Sequence, residues 1–189
     1  MAKLKDQRKN RLHNEDNSTI KKLIDQCYPL TRDKFSYSNS HKVKVILILE
    51  KLKDLIEAKG IKPTYQRLKI LEYLYKHTGE HPTVEMIYEA LGHQIPAISM
   101  ATVYNSLNAL LEKGLVCAMT ITGTEIRYDV NVSSHHHLLC KKCGKIIDID
   151  VKCPLSINNN QPIEGHFVDE VHCYLKGICK ECNRSSAPT

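Results

Sequence analysis

The chain has 189 residues, 42% hydrophobic and 25% charged, the balance of an ordinary water-soluble protein with room for one medium or two small domains. Its 27 Lys/Arg against 21 Asp/Glu leave a net charge of +6. No stretch approaches the ~20 apolar residues of a membrane span, and the polar N-terminal segment has no secretory apolar core. A cytoplasmic protein with no membrane partner is expected.

The positive charge sits at one end. Residues 1–63 hold 15 Lys/Arg and 8 Asp/Glu, a net of +7, whereas residues 64–189 hold 12 and 13. A basic end suits an anionic partner such as nucleic acid, although a solvated tail has the same composition. Residues 1–42 lack sustained periodicity and are rich in Lys, Asn, Asp and Ser. They read as a basic extension, mostly disordered or with one loose helix near residues 20–27.

From 43 to 59 the pattern turns helical, with Leu49, Leu52, Leu55 and Ile56 on one side and Gly60 as the stop. Thr64 is suited to cap a second helix carrying Leu68, Leu71 and Tyr75. Thr83 is suited to cap a third, with Val84, Ile87, Tyr88 and Leu91 at i, i+3, i+4 and i+7. Ser99 caps a fourth that runs to about Lys113 and ends at Gly114. Its apolar stripe is Val103, Leu107, Leu110 and Leu111, and its other face shows Tyr104, Asn105 and Asn108. Segments 115–120 and 125–130 flank a turn and predict a β-hairpin. Helices followed by a hairpin make a winged helix-turn-helix domain over 43–130. The fourth is then the recognition helix, since phenol and amide groups read base edges in a major groove. The same polar face would also serve as a plain solvated surface.

A second unit over 131–189 shows short strands near 135–139, 145–149 and 171–177. Its middle, 151–165, contains Pro154, Asn158-Asn159-Asn160 and Pro162, and is expected to hold at most a short helix. The fold class is therefore α+β: a winged helix followed by a small α/β zinc-bearing domain.

Two Cys-x-x-Cys pairs interrupt those strands: Cys140-Lys141-Lys142-Cys143 and Cys179-Lys180-Glu181-Cys182. In a reducing compartment four thiolates at this spacing call for one tetrahedral structural Zn(II), and so small a unit would draw folding free energy from it. The other cysteines, Cys27, Cys117, Cys153 and Cys173, lack ligand spacing. Beside the first pair, His135 and His137 share one face of a strand while His136 points away, and Asp148 folds back beside them on the next strand. These three either begin a nitrogen-and-oxygen metal site or form a polar strand with surface histidines. Spacing does not decide between them, nor does it name further ligands.

Seven segments, in this order and spacing, resemble the ferric-uptake-regulator family of bacterial repressors: Pro63-Thr64-Tyr65-Gln66-Arg67, His81-Pro82-Thr83, Ser99 to Leu107, Arg127-Tyr128-Asp129, His135 to Cys140, Cys143 to Asp148, and Gly177 to Cys182. The resemblance covers residues 43–182. It implies a homodimer that represses transcription by binding A/T-rich inverted-repeat operators in double-stranded DNA when a regulatory metal is present. It implies regulatory ligands at His81, Asp129, His135, His137 and Asp148, a hard donor set suited to Fe(II) or Mn(II). It also implies DNA contacts from Tyr65, Arg67, Ser99 and Thr102 beside Tyr104, Asn105 and Asn108.

Asp148 and the Tyr104-Asn105 pair look like the peroxide-sensing branch, in which peroxide oxidises a ligand histidine of the Fe(II) form and repression is lost. The alternative is an iron-responsive repressor, whose branch more often has Glu and Tyr-Arg there. An additional metal site found in many iron sensors would need ligands where Ser134, Leu155 and Val171 stand, so it is expected to be absent or rebuilt. No enzyme is expected, since no general base or nucleophile constellation accompanies the histidines. A zinc adaptor without sensing is the third reading.

Overall fold

The computed structural model describes residues 18–22, 24, 39–121, 123, 125–133, 135–151, 164–167 and 174–184. The chain divides into two compact units, Met1–Ser133 and Ser134–Thr189.

In the first unit, α1 (Asn39–Ala58), α2 (Tyr65–Lys76), α3 (Val84–Gly92) and α4 (Met100–Glu112) precede the strands β1 (Cys117–Met119) and β2 (Arg127–Asp129). Thr64, Thr83 and Ser99 stand in extended conformation, and their side chains accept the amides of Arg67, Met86 and Thr102, satisfying donors that a helix start leaves open. Two helices end in the same way. Gly60 (φ +72°) and Gly114 (φ +65°) adopt the left-handed conformation that reverses the chain. The next residue's amide then returns to a helical carbonyl: Ile61 to Ile56 at 3.1 Å, and Leu115 to Leu110 at 2.9 Å. All four of these side chains are buried, so each reversal also feeds the core.

That core gathers Ile48, Leu52 and Ile56 of α1, Ile70, Leu71 and Leu74 of α2, Val84, Ile87 and Leu91 of α3, and Val103, Leu107 and Leu110 of α4. α4 packs on both α2 and α3, and α1 packs on α2. Residues 18–22 and 24 are helical and contribute Ile20 and Ile24 to the same core. The wing is an antiparallel pair with Cys117 opposite Asp129, Ala118 opposite Tyr128, and Met119 opposite Arg127.

In the first unit three features differ from the sequence reading. The helix expected from residue 43 begins at Asn39, because the polar run Asn39-Ser40-His41-Lys42 has no apolar periodicity to announce it. Leu111, expected in the α4 stripe, is 38% exposed, since one step of about 100° past Leu110 carries it off the buried face. The hairpin strands are three residues each, shorter than expected. Most of the extension and residues 152–163, where at most a short helix was expected, lie outside the described residues.

The second unit is a three-stranded sheet in the order β4 (Ile146–Ile149), β3 (His136–Cys140), β5 (Tyr174–Gly177), followed by a short helix α5 (Lys180–Arg184). β3 runs antiparallel to β4 and parallel to β5. Among the described residues its buried set is Cys140, Ile146, Cys179 and His137, too little apolar volume for a core of its own.

A buried carboxylate in the helical core of the first unit is held by lysines. Glu72 of α2 is 1% exposed and accepts from Lys69 and from Lys76 at 2.8 Å. Burial alone would raise its pKa, but hydrogen bonds from the two lysines hold the carboxyl below its ordinary value. A depressed folded-state value means the contribution is present above about pH 4.5 and is lost as the pH falls through the folded value. Glu72→Gln is therefore expected to lower stability by about 2 kcal/mol at pH 7. Chemical-denaturation curves at pH 7 and pH 4 check this, and a gap to wild type that does not shrink in acid contradicts it.

Candidate metal centres and DNA-reading face

The four cysteines converge. Cys140 ends β3, a tight turn with Gly144 at φ +71° returns the chain to β4, Cys179 follows β5, and Cys182 lies in α5. The Gly144 amide bonds the Cys140 carbonyl at 2.9 Å, and the Lys141 amide bonds the Gly177 carbonyl at 2.7 Å, so the two knuckles are joined through the backbone. All four sulfurs lie within 4.8 Å of one another, with Cys143 and Cys179 3.8 Å apart. Zn–S bonds of about 2.3 Å at tetrahedral angles require sulfurs about 3.8 Å apart. Backbone amides point at sulfur: Cys179 N to Cys140 Sγ at 3.3 Å and Cys182 N to Cys179 Sγ at 3.4 Å.

The Cys179 amide, with those of Cys143 and Lys142, brings the Cys140 thiol down to about 6. Its neighbours move the other way. Hydrogen bonding with Cys179 and Cys143, then burial, pushes Cys182 up to about 12. Cys179 is raised on balance by burial and by the Cys140 and Cys143 sulfurs, despite the Cys182 amide. One thiolate forms readily in this space and four repel, a conflict that a tetrahedral dication removes. The donor set, spacing and amides fit zinc.

Two further groups were singled out in the sequence, one in each unit. In the first unit, His81 and Asp129 are both buried, with His81 Nε2 3.7 Å from Asp129 Oδ2. The other oxygen, Oδ1, accepts the Asn131 amide at 2.9 Å, which fixes the carboxylate plane. His81 sits at φ +50°, a left-handed conformation unusual for a residue with a Cβ. In the second unit, strand pairing sets Asp148 opposite His137. Asp148 Oδ1 is 3.5 Å from Nε2 of both His135 and His137, whose rings meet edge to face at 4.4 Å. These separations exceed hydrogen-bond length. They are near the ~3.4 Å between two ligands of one ion with bonds of about 2.1 Å. Each group is thus shaped as part of a coordination shell.

A family model, the ferric uptake regulator family, matches residues 58–176. The peroxide-responsive repressor PerR of Staphylococcus aureus (strain Mu50) is 38% identical over 128 residues, covering 65% of this chain and 83% of its own. The chain belongs to the ferric uptake regulator family. Among solved structures it resembles the ferric uptake regulator of Vibrio cholerae, at 27% identity and a TM-score of 0.53 over 67% of this chain and 98% of that one. It also resembles the regulator of Helicobacter pylori, at 26% identity and a TM-score of 0.54 over 76% and 96%. The winged helix and small α/β unit are the architecture of this family, whose members are metal-dependent transcriptional repressors.

As in other members, α4 is the second helix of a helix-turn-helix, and Tyr104, Asn105 and Asn108 are exposed on it. Tyr65, at the start of α2, is 56% exposed. The other residues singled out for DNA have structural partners as well. Arg67 donates to the Lys62 carbonyl at 2.9 Å, and Ser99 and Thr102 share a side-chain hydrogen bond at 2.9 Å within the cap. Burial raises the pKa of the Tyr128 phenol, with nearby Tyr104 and Glu85 adding to the shift.

Cys117 is half-buried, with its thiol 3.5 Å from the Asn131 carbonyl, an ordinary small side chain. Cys27, Cys153, Cys173, Ser134, Leu155 and Val171 lie outside the described residues. Three features left no sequence signal that was read: helix α5, the φ of His81, and the hydrogen bond from Arg127 to the His81 carbonyl. The last was accessible in part, since Arg127 precedes Asp129 by two residues in a named motif.

Proposed function

We propose that this protein is a cytoplasmic, homodimeric, peroxide-responsive repressor that binds A/T-rich inverted-repeat operators when Fe(II) or Mn(II) occupies a regulatory site, and that it is not an enzyme. The ligands of that site would be His81, Asp129, His135, His137 and Asp148. One observation carries the reading: in each unit a carboxylate stands 3.5–3.7 Å from imidazole Nε2, the separation of neighbouring ligands rather than of hydrogen-bonded partners. Three imidazoles and two carboxylates make a hard donor set suited to these ions. No helix among the described residues is long and apolar enough to cross a membrane.

The mechanism follows from where the ligands lie in the chain. His81 and Asp129 belong to the winged-helix unit, and the other three to the zinc-bearing unit. Ligands from both, on one ion, fix the angle between the two units and so the spacing of the two recognition helices in a dimer. That spacing must match successive major grooves, about one helical turn or a multiple of it apart. Dimerisation suits the sheet face formed by Leu138, Ile147, Ile149 and Leu175, of which Leu175 is 41% exposed. A bound iron supplies the chemistry that splits peroxide. The chain supplies the imidazoles that take up an oxygen and then ligate poorly.

Operator affinity measured with Mn(II), Fe(II) and chelator is expected to differ, tighter with either metal. After Fe(II) and peroxide, peptide mass spectrometry should find one added oxygen on the peptide carrying His81 or on that carrying His135 and His137, and none with Mn(II). Equal operator affinity in all three conditions would defeat metal gating. Oxidation confined to cysteine would leave the iron-responsive repressor as the better reading.

A further inference from the structure

His81 holds a backbone conformation that an L residue adopts only at a cost, yet it is buried and is a proposed ligand. Something must hold it there. Its carbonyl accepts Arg127 Nη1 at 3.1 Å, across 46 positions of sequence, and the next carbonyl, that of Pro82, accepts the Tyr128 amide at 3.0 Å. Arg127 is itself steadied, since Nε and Nη2 both donate to Glu125 Oε2, at 3.2 and 2.8 Å. The Arg127 side chain is 22% exposed, and its bond to the His81 carbonyl is part-buried, whereas the Glu125 carboxylate is 49% exposed. The planar fork lets one guanidinium hold a carboxylate and a carbonyl in fixed relative directions, a geometry that the rotatable ammonium of a lysine does not impose.

We propose that Arg127 is a positioning residue for the regulatory metal: it latches the carbonyl of His81, keeps that residue in its left-handed conformation, and so holds the imidazole beside Asp129. This rests on the reading of His81 as a ligand. A guanidinium offers a metal no lone pair, so Arg127 is not itself a ligand. From positions two apart on one strand, Arg127 fixes one ligand, His81, while Asp129 supplies the other. Glu125 sets the orientation of the latch. When the latch is removed, His81 relaxes toward ordinary backbone angles and its ring leaves Asp129, so metal binding weakens while the recognition helix is untouched.

The test uses the full-length zinc-loaded protein with Mn(II) as the probe, free Mn(II) being read by electron paramagnetic resonance. Arg127→Met is expected to weaken Mn(II) binding about 10-fold, the lower end of what loss of an outer-shell partner costs a metal site. Glu125→Gln should weaken it by less, about 2–3-fold, since it loosens the latch without removing it. At saturating Mn(II) the operator affinity of Arg127→Met should stay within about 3-fold of wild type, because the base-reading groups are intact. In a double-mutant cycle, Arg127→Met on a His81→Ala background should cost almost nothing further, as expected of a residue acting only through His81.

Unchanged Mn(II) affinity in Arg127→Met, with His81→Ala weak, overturns the latch alone. A loss of operator affinity with normal Mn(II) binding makes Arg127 a phosphate contact and also overturns it. If His81→Ala binds Mn(II) as wild type does, the regulatory-site reading fails and the latch with it. Should Arg127→Met fail to fold, Arg127→Lys and Glu125→Gln carry the same comparison, and normal Mn(II) affinity in both overturns the proposal.

Discussion

Replacing Cys140 with serine is expected to remove the zinc and unfold the second unit. Among its described residues the buried set is Cys140, Ile146, Cys179 and His137, so the sulfurs stand where a larger domain would have aliphatic side chains. A structural zinc contributes about 10–16 kcal/mol of apparent binding free energy in small domains, comparable to or above the whole stability of a typical one. Cys140 is the sulfur to which this matters most, because its thiol is held near 6 by the Cys179 amide and its neighbours, and its strand carries His137. Serine retains a hydrogen-bonding atom but not a soft anionic ligand.

Zinc content by elemental analysis should fall well below wild type, and hydrogen exchange in residues 136–149 should lose its protection. Residues 48–110 should keep theirs, since the first unit has its own apolar core. Removal of zinc from wild type with a strong chelator should reproduce the pattern. Full zinc content with wild-type protection in Cys140→Ser would mean that three thiolates suffice.

Parts of this were legible without coordinates because local chemistry determined them. Thr64, Thr83 and Ser99 were recognisable as caps because a short hydroxyl before an apolar periodic run has one economical use, and each accepts the expected amide. The Cys-x-x-Cys spacing encodes its own turn and brings the two sulfurs of each pair together, while the pairing of β3 with β5 brings the two pairs to one place. Strand alternation alone put His135 and His137 on one face, and the short knuckle brought Asp148 opposite His137.

What stayed hidden depends on tertiary contact. His81 and Asp129 are 48 positions apart by residue number, and no periodicity links them. Only the resemblance to a family paired them. The hydrogen bond from Arg127 to His81 is non-local in the same way, and it is made to a backbone carbonyl, which carries no residue identity to read. The start of α1 at Asn39 was missed for the opposite reason: a polar helical turn has no apolar pattern to betray it.

Asp129→Asn should abolish the response to metal while leaving the fold in place. Asn is the informative replacement. Its side-chain oxygen still accepts the Asn131 amide that Asp129 Oδ1 takes at 2.9 Å, so the turn after the wing survives. What is lost is the anionic oxygen 3.7 Å from the His81 ring. With one charged ligand of the proposed site gone, Mn(II) affinity should fall by more than about 100-fold, beyond the 10–100-fold typical of a lost outer-shell partner.

In wild type, metal is expected to tighten operator binding by about 5–150-fold, the span of 1–3 kcal/mol of coupling. In Asp129→Asn that increment should vanish, leaving the affinity that wild type shows in chelator. Asp148→Asn, in the other unit, should do the same. Linkage adds a second check, because coupling is reciprocal: operator DNA must raise the Mn(II) affinity of wild type by the same factor by which Mn(II) raises operator affinity. A variant that loses operator binding even in chelator has a damaged wing, not a damaged switch. A variant that keeps both the Mn(II) affinity and the operator response removes Asp129 from the regulatory site.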